Sequence, residues 1–135
     1  MKILVTGNTG YIGPVLGKHL KLNNNDLVLV GYDTGFFAHC LTGVDMSPEL
    51  NYDMQIYGDI RNLDSQIFKG VDTVVHLAAI SNDPMGNDFE VVTDAINSKA
   101  SENVAQFAKK AGVTRFIFAS SCSMYGSADM VAKKE

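Results

Sequence analysis

The sequence predicts an α/β protein: a doubly wound parallel sheet covered by helices. Two observations support this. Five short runs are almost continuously apolar, as strands buried on both faces must be, and segments with helical spacing or loop character alternate with them from the first residue. The 135 residues are 46% hydrophobic and 19% charged, which suits one domain. A chain of this length buries roughly 68% of its extended surface and needs no disulfide staples.

Lys2 to Thr6 is the first strand, and Gly7 to Gly13 is a glycine-rich turn. Ile12, Val15, Leu16 and Leu20 then repeat at helical spacing until the turn signal Asn23-Asn24-Asn25-Asp26. Pro14 fits only in or beside a first helical turn, where a missing N–H costs little, so this helix is expected to start near Gly10 or Tyr11. Leu27 to Tyr32 is the second strand. Thr34 to Leu50 lacks period and holds Gly35, Gly43 and Pro48, so it reads as a loop with room for a short helix. Met54 to Tyr57 is a weak third strand. Asn62 to Phe68 is a short helix with Asn62 as its N-cap and Gly70 past its end.

Asp72 to Ala79 is the fourth strand. Asp88 to Ala111 is a long helix with Phe89, Val92, Ile96, Ala100, Val104, Phe107 and Ala111 on one face, ended by Gly112. Arg115 to Ser120 is the fifth strand, and Ser121 to Gly126 is a turn at its carboxyl end. Right-handed crossovers favour the strand order 3-2-1-4-5. Met130 to Glu135 adds no helix, so the fold is expected to be truncated after the fifth strand, with one sheet face uncovered there.

The net charge of −4 argues against a nucleic-acid or anionic-membrane surface, which needs a basic face. Cys40 and Cys122 match no metal-ligand spacing and read as reduced thiols. Met1-Lys2 runs straight into Ile3-Leu4-Val5 without a leader pattern, and no apolar run approaches the ~18 residues of a membrane span. The expectation is a soluble cytoplasmic protein without a metal, nucleic-acid or membrane partner.

The strongest chemical signal is Thr6-Gly7-Asn8-Thr9-Gly10-Tyr11-Ile12-Gly13, between a strand and a helix. Gly7 allows a sharp turn, Gly10 lets backbone approach a pyrophosphate, and Gly13 permits close helix–strand packing. Tyr11 and Ile12 complete the loop, and the N–H groups of the helix start favour an anion there. This is the context of a Rossmann-type dinucleotide site. Asp33 lies 20 residues after Gly13, at the end of the second strand, where a carboxylate can accept both ribose hydroxyls. A 2′-phosphate ~4 Å away would meet repulsion of order 4 kcal/mol at an effective dielectric of 20. Neither Tyr32 nor Thr34 is an arginine that could hold such a phosphate, so NAD is expected over NADP. The alternative is that Asp33 only opens a turn.

Gly7/Gly10/Gly13, Gly58-Asp59-Ile60-Arg61-Asn62, His76-Leu77-Ala78-Ala79, Asn97 and Ser120-Ser121-Cys122-Ser123-Met124-Tyr125-Gly126 occur in that order. Together they resemble the NAD-dependent epimerase/dehydratase family, the extended branch of the short-chain dehydrogenases. The resemblance covers nearly the whole chain. It implies that Asp59 and Ile60 flank the adenine, that Leu77, Ala78 and Ala79 line the ribose–phosphate path, and that Ser81 lies near the nicotinamide. Asn97 would be the helix asparagine that fixes backbone and water near the site. Ser121 would be the catalytic serine or threonine that bonds the substrate oxygen. Each has a structural alternative: a helix-entry turn for Asp59, strand packing for Leu77 to Ala79, plain loop for Ser81, a solvated helix position for Asn97, and a strand-end hydroxyl for Ser121. His76 matches the motif but is expected to be a satisfied core histidine without a catalytic role. Tyr125 and Gly126 are expected to shape their turn.

Two departures qualify the resemblance. Sugar-nucleotide 4,6-dehydratases typically carry Asp-Glu after the serine or threonine, where this chain has Cys122 and Ser123; neither replaces a carboxylate pair. The family's Tyr-x-x-x-Lys pair is also missing: four residues after Tyr11, Tyr32, Tyr52, Tyr57 and Tyr125 stand Val15, Phe36, Ile56, Arg61 and Asp129. Residues 1–135 are therefore expected to form an incomplete NAD-binding domain, inactive alone, of an enzyme acting on a nucleoside-diphosphate sugar by hydride transfer. A homodimer is left open, and the alternative is a non-catalytic dinucleotide-binding regulatory module of the same fold.

Overall fold

A computed structural model of the chain describes residues 1–36, 46–81 and 88–121. Its strands are β1 (Lys2–Thr6), β2 (Val28–Asp33), β3 (Met54–Tyr57), β4 (Thr73–His76) and β5 (Arg115–Phe118). They form one sheet in the order β3-β2-β1-β4-β5, every pair parallel. That is the predicted order.

The two faces carry separate cores, because side chains alternate across a strand. On one face Leu4, Val30, Tyr32 and Val74 pack with Ile60, Phe68, Ala100, Val104 and Ala108. On the other, Ile3, Val5, Leu29 and Val75 pack with Tyr52 and the partly buried Leu16 and Leu20. Each fully buried aliphatic side chain contributes about 1.5–3 kcal/mol. The flanking strand β5 is different. Phe116, Ile117 and Phe118 are 37%, 53% and 51% exposed.

Strand and helix limits differ from expectation in several places. Strand β2 runs one residue later at both ends. Strand β4 stops at His76 rather than Ala79, because the chain next turns over the end of β1, where Leu77 N donates to Thr6 O at 2.9 Å. Strand β5 stops at Phe118 for want of a longer partner; Ala119 N makes the last bond, to His76 O at 3.1 Å.

Helix α1 spans Gly13–Asn23, so it starts two or three residues later than expected. Pro14 still sits in the first turn, and residues 10–12 belong to the loop. Its buried residues are Gly13, Pro14 and Gly17, whereas Val15 is 71% exposed. The short helix expected over 62–68 is instead two 3-10 turns, Ile60–Asn62 and Ser65–Phe68. Asp59 and Asp64 cap them by accepting from Arg61 N and Gln66 N; Asn62 lies inside the first turn. A further 3-10 turn, Pro48–Asn51, falls in the segment expected to have room for a short helix.

The long helix comes in three pieces: α2 (Glu90–Thr93), a π-helical segment Asp94–Ala100, and α3 (Ser101–Lys110). The wider π turns hold more residues per turn and shift the phase of the apolar stripe. Ala100, Val104 and Ala108 are buried, while Phe89 and Val91 are 56% and 83% exposed. The stripe predicted through Phe89 and Ala111 thus fails at both ends. Gly112, at φ +81°, terminates the helix as expected.

Candidate functional site

Strand β1 pairs with β2 on one side and β4 on the other, so successive crossovers diverge from its carboxyl end. In such sheets the crevice at this switch point takes the ligand. The glycine loop stands there. Gly7 has φ +73°, and a Cβ on it would lie 2.6 Å from Ala78 N and 2.8 Å from Leu77 C. Its N–H donates to Tyr32 O at 2.9 Å, joining loop, β2 and the end of β4 at one point.

Gly10 N donates to Gly7 O at 3.2 Å. A Cβ on Gly10 would meet only that oxygen, at 3.3 Å, so its other sides are open to a ligand. Tyr11 and Ile12 are 93% and 54% exposed. Gly13 plays a different part from the helix–strand packing expected of it. A Cβ there would sit 2.1 Å from Asn8 O, so the residue lets α1 rest on its own loop. No side chain caps α1 at Ile12, and the helix start presents its partial positive charge to the crevice.

Asp33 ends β2 beside this loop. One carboxylate oxygen, Oδ2, accepts from Thr9 N at 3.1 Å, and Oδ1 accepts from Gly35 N at 2.8 Å. The second contact is the turn-opening bond foreseen as the alternative; the first ties Asp33 to the glycine loop. A carboxylate offers about four lone-pair sites, so two acceptor positions remain for hydroxyls.

Beneath the loop lie residues that the sequence did not single out. Buried Asn8 exchanges hydrogen bonds with Gln55 of β3: Nδ2 donates to Oε1 at 2.6 Å, and Gln55 Nε2 donates to Oδ1 at 3.3 Å. Tyr52 donates its hydroxyl to Gly13 O at 2.9 Å, with its ring packed where a Cβ on Gly17 would be 2.8 Å away. Burial, and then the charge of Asp33, push the Tyr52 phenol up, so it stays a neutral donor. A glycine at Gly31, inside an aliphatic strand, is the sequence signal that could have pointed to a close approach there.

The segment after β4 supplies the other wall. Leu77 and Ala78 are half-buried, and Ala79 and Ser81 are exposed. Asn97, in the π-helical segment, grips the segment between them: Oδ1 accepts from Ile80 N and Nδ2 donates to Ile80 O, both at 2.8 Å. His76 is 1% exposed and satisfied at both nitrogens. Ser101 Oγ donates to Ile96 O, so it accepts from Nε2–H at 2.9 Å, leaving Nδ1 to accept from Thr6 Oγ1 at 2.6 Å. Burial pushes the imidazole down to about 4. It is a neutral strut between β1, β4 and α3.

Asp59 and Ile60 follow β3, whose end is joined to that of β2 by Gly58 N donating to Asp33 O at 2.9 Å. Asp59 is paired with Arg61 at 2.5 Å, and hydrogen bonds from that guanidinium hold its carboxyl below the usual carboxylate range. This is the turn-capping alternative. Ile60 is 7% exposed and belongs to the core, so it has only an edge to offer a base. Ser121 lies three residues past β5 and is exposed. Cys122 to Gly126, with Tyr125, lie outside the described residues. Among the described residues no cluster of three or more His, Cys, Asp or Glu could hold a metal ion, and no helix is long and apolar enough to cross a membrane.

Comparison with known proteins gives a consistent picture. Residues 3–135 match the model of the NAD dependent epimerase/dehydratase family. UDP-glucose 4-epimerase of Streptomyces lividans is 31% identical over 138 residues, covering 96% of this chain and 39% of that protein. The crystal structure of UDP-glucuronic acid 4-epimerase from Bacillus cereus in complex with NAD superposes with a TM-score of 0.79 at 35% identity, over 96% of this chain and 43% of that one. MoeE5 in complex with UDP-glucose and NAD gives 0.76 at 28% identity, over 98% and 40%. The chain thus spans about two fifths of the length of these relatives.

Proposed function

We propose, from the premise that this chain belongs to the NAD-dependent epimerase/dehydratase family, that residues 1–135 are the NAD-binding part of a nucleotide-sugar oxidoreductase. The observation that carries this reading is the bond from Thr9 N to Asp33 Oδ2. It sets the glycine loop and a carboxylate with acceptor sites to spare side by side at the switch point of the sheet. The loop suits the cofactor because Gly7 lets it pass close to Leu77 and Ala78 and Gly13 lets α1 close onto Asn8, while Gly10 keeps an open side.

Asp33 would accept from the adenosine ribose and disfavour a 2′-phosphate there. The N–H groups of the loop and of the α1 start would bind the diphosphate. Tyr11 and Ile12 would flank it. Asp59 and the edge of Ile60 would border the adenine, with Asp59 reaching it only by sharing its carboxylate with Arg61. Leu77, Ala78, Ala79 and Ser81 would follow the nicotinamide half. Asn97 would hold that segment in place through Ile80, and Ser121 would bond the sugar oxygen. The nicotinamide, when bound, supplies a reversible hydride acceptor.

The base that removes the hydroxyl proton is the missing part. No tyrosine here has a lysine four residues on, so the chain by itself is expected to bind NAD without turning over UDP-glucose or UDP-glucuronic acid. The same absence keeps a non-catalytic dinucleotide-binding module as the second reading. Calorimetric titration with NAD tests the first step: saturable binding at one site per chain is expected, and no heat at millimolar NAD would refute the reading. Turnover of either nucleotide sugar by the purified chain would refute its inactivity.

A further inference from the structure

We propose that Asn8 and Gln55 form a latch that sets the shape of the glycine loop for a diphosphate, making Gln55 a positioning residue for cofactor binding. The inference rests on the dinucleotide reading above and names what holds that site open in the right form.

Asn8 is wholly buried, at the first step of a loop whose neighbours are glycine and threonine. Its amide has both polar atoms committed to Gln55, 47 positions away, in the reciprocal pair at 2.6 and 3.3 Å. The pair meets over Gly31. A Cβ at that position would lie 2.3 Å from Asn8 Nδ2 and 2.5 Å from Gln55 Oε1, so only glycine leaves the passage free. Gln55 is itself aimed by its second Nε2 hydrogen, which goes to Ile56 O at 3.2 Å. From above, Gly13 presses on the Asn8 backbone, leaving no room for a Cβ between them.

Asn8 is therefore gripped on both sides, its side chain from the sheet and its backbone from the helix. The groups that would face a diphosphate are the next ones along the chain. Thr9 N is held by Asp33, and Gly10 N by Gly7 O. A loop of three glycines is entropically free to collapse or turn away. An amide pair in a low-dielectric setting fixes it in one conformation, and preorganisation of this kind raises affinity without touching the ligand.

The test uses Gln55→Met, of similar length but without polar atoms, and the double variant Asn8→Ala/Gln55→Met. The single variant leaves Asn8 buried and unpaired, so it should lose thermal stability; the double variant orphans no amide and should regain most of that loss. In both, NAD and ADP-ribose should bind about tenfold more weakly, while adenosine, followed by chemical shift at millimolar concentration, should bind as in the parent. Wild-type NAD affinity in the folded double variant would overturn the proposal. So would an equal loss for adenosine, which would mark a general loosening of the fold. Amide hydrogen exchange at Thr9 and Gly10 keeps the two readings apart. If the parent chain fails to bind NAD, the functional reading falls. The latch then stands only if these amides exchange at least tenfold faster in Gln55→Met than in the parent, and it falls if they do not.

Discussion

Replacing Asp33 separates the cofactor reading from a purely structural one. In the structure its carboxylate bonds Thr9 N at 3.1 Å and Gly35 N at 2.8 Å, and about two acceptor sites remain. Two hydroxyl bonds to a charged acceptor are worth about 1.5–3 kcal/mol each. Asp33 is half-buried, so water recovers roughly half of that sum, leaving about 1.5–3 kcal/mol, or roughly 10- to 150-fold in Kd. Asp33→Ala should weaken NAD by that factor in a calorimetric titration. It should also lower the melting temperature, because Thr9, itself 1% exposed, loses the partner of its N–H. Asp33→Asn keeps one acceptor oxygen and removes the charge, so it should weaken NAD less. It should also improve NADP, by relieving a repulsion of order 4 kcal/mol that salt screening reduces to about half. Unchanged NAD affinity in Asp33→Ala, or equal affinity of the parent for NAD and NADP, would refute the reasoning.

Three other outcomes follow from the geometry. His76 is held down to about 4 from an ordinary 6.5. The unfolded chain therefore takes a proton that the folded one refuses, and stability, complete above pH 6.5, should fall by about 3 kcal/mol as the pH drops to 4. Urea midpoints across that range should show this slope in the parent and flatten it in His76→Gln; an unaltered slope in the variant would rule the histidine out as its source. Asn97→Ala removes both bonds to Ile80 and should cost about 1–3 kcal/mol. The Ile80 amide should then exchange much faster while Val74 changes little, and equal acceleration at both would count against a local clamp. The exposed apolar side chains of β5 should make the chain self-associate. Sedimentation velocity should show Ile117→Lys shifted toward monomer, and a parent that is already monomeric at high concentration would contradict this.

Much of this could be read from local pattern because local pattern is where the physics lies. Lys2–Thr6 and Met54–Tyr57 came out with their predicted limits; each is followed directly by a glycine, Gly7 or Gly58, at which the chain leaves the sheet. Gly7, Gly70 and Gly112 all have the positive φ that their turns require. The start of α1 was harder: Pro14 is tolerated at several first-turn positions, and only the seat of Gly13 on Asn8 decides among them. The caps of the 3-10 turns were misplaced because Asp59, Asn62 and Asp64 are equally good capping types within six residues. Asn8, Gln55 and Tyr52 were invisible for another reason. Their partners are 47 and 39 positions away, and no periodicity encodes such a meeting. Asp33 and Asn97 were identified from motif position, yet their bonds to Thr9, Gly35 and Ile80 depend on how the strands converge.

The π-helical stretch Asp94–Ala100 has an unusual consequence for engineering. A single-residue deletion in a helix normally throws everything on one side of it out of register. Here it would let the seven-residue π segment close into ordinary spiral, rotating Asn97 by about 100° around the axis. Such a shortened protein should keep α3 in register on the sheet while leaving the ledge beside β4 unanchored, at about the 1–3 kcal/mol cost of removing the two bonds to Ile80. Order at the crevice would then be lost while the scaffold kept its register.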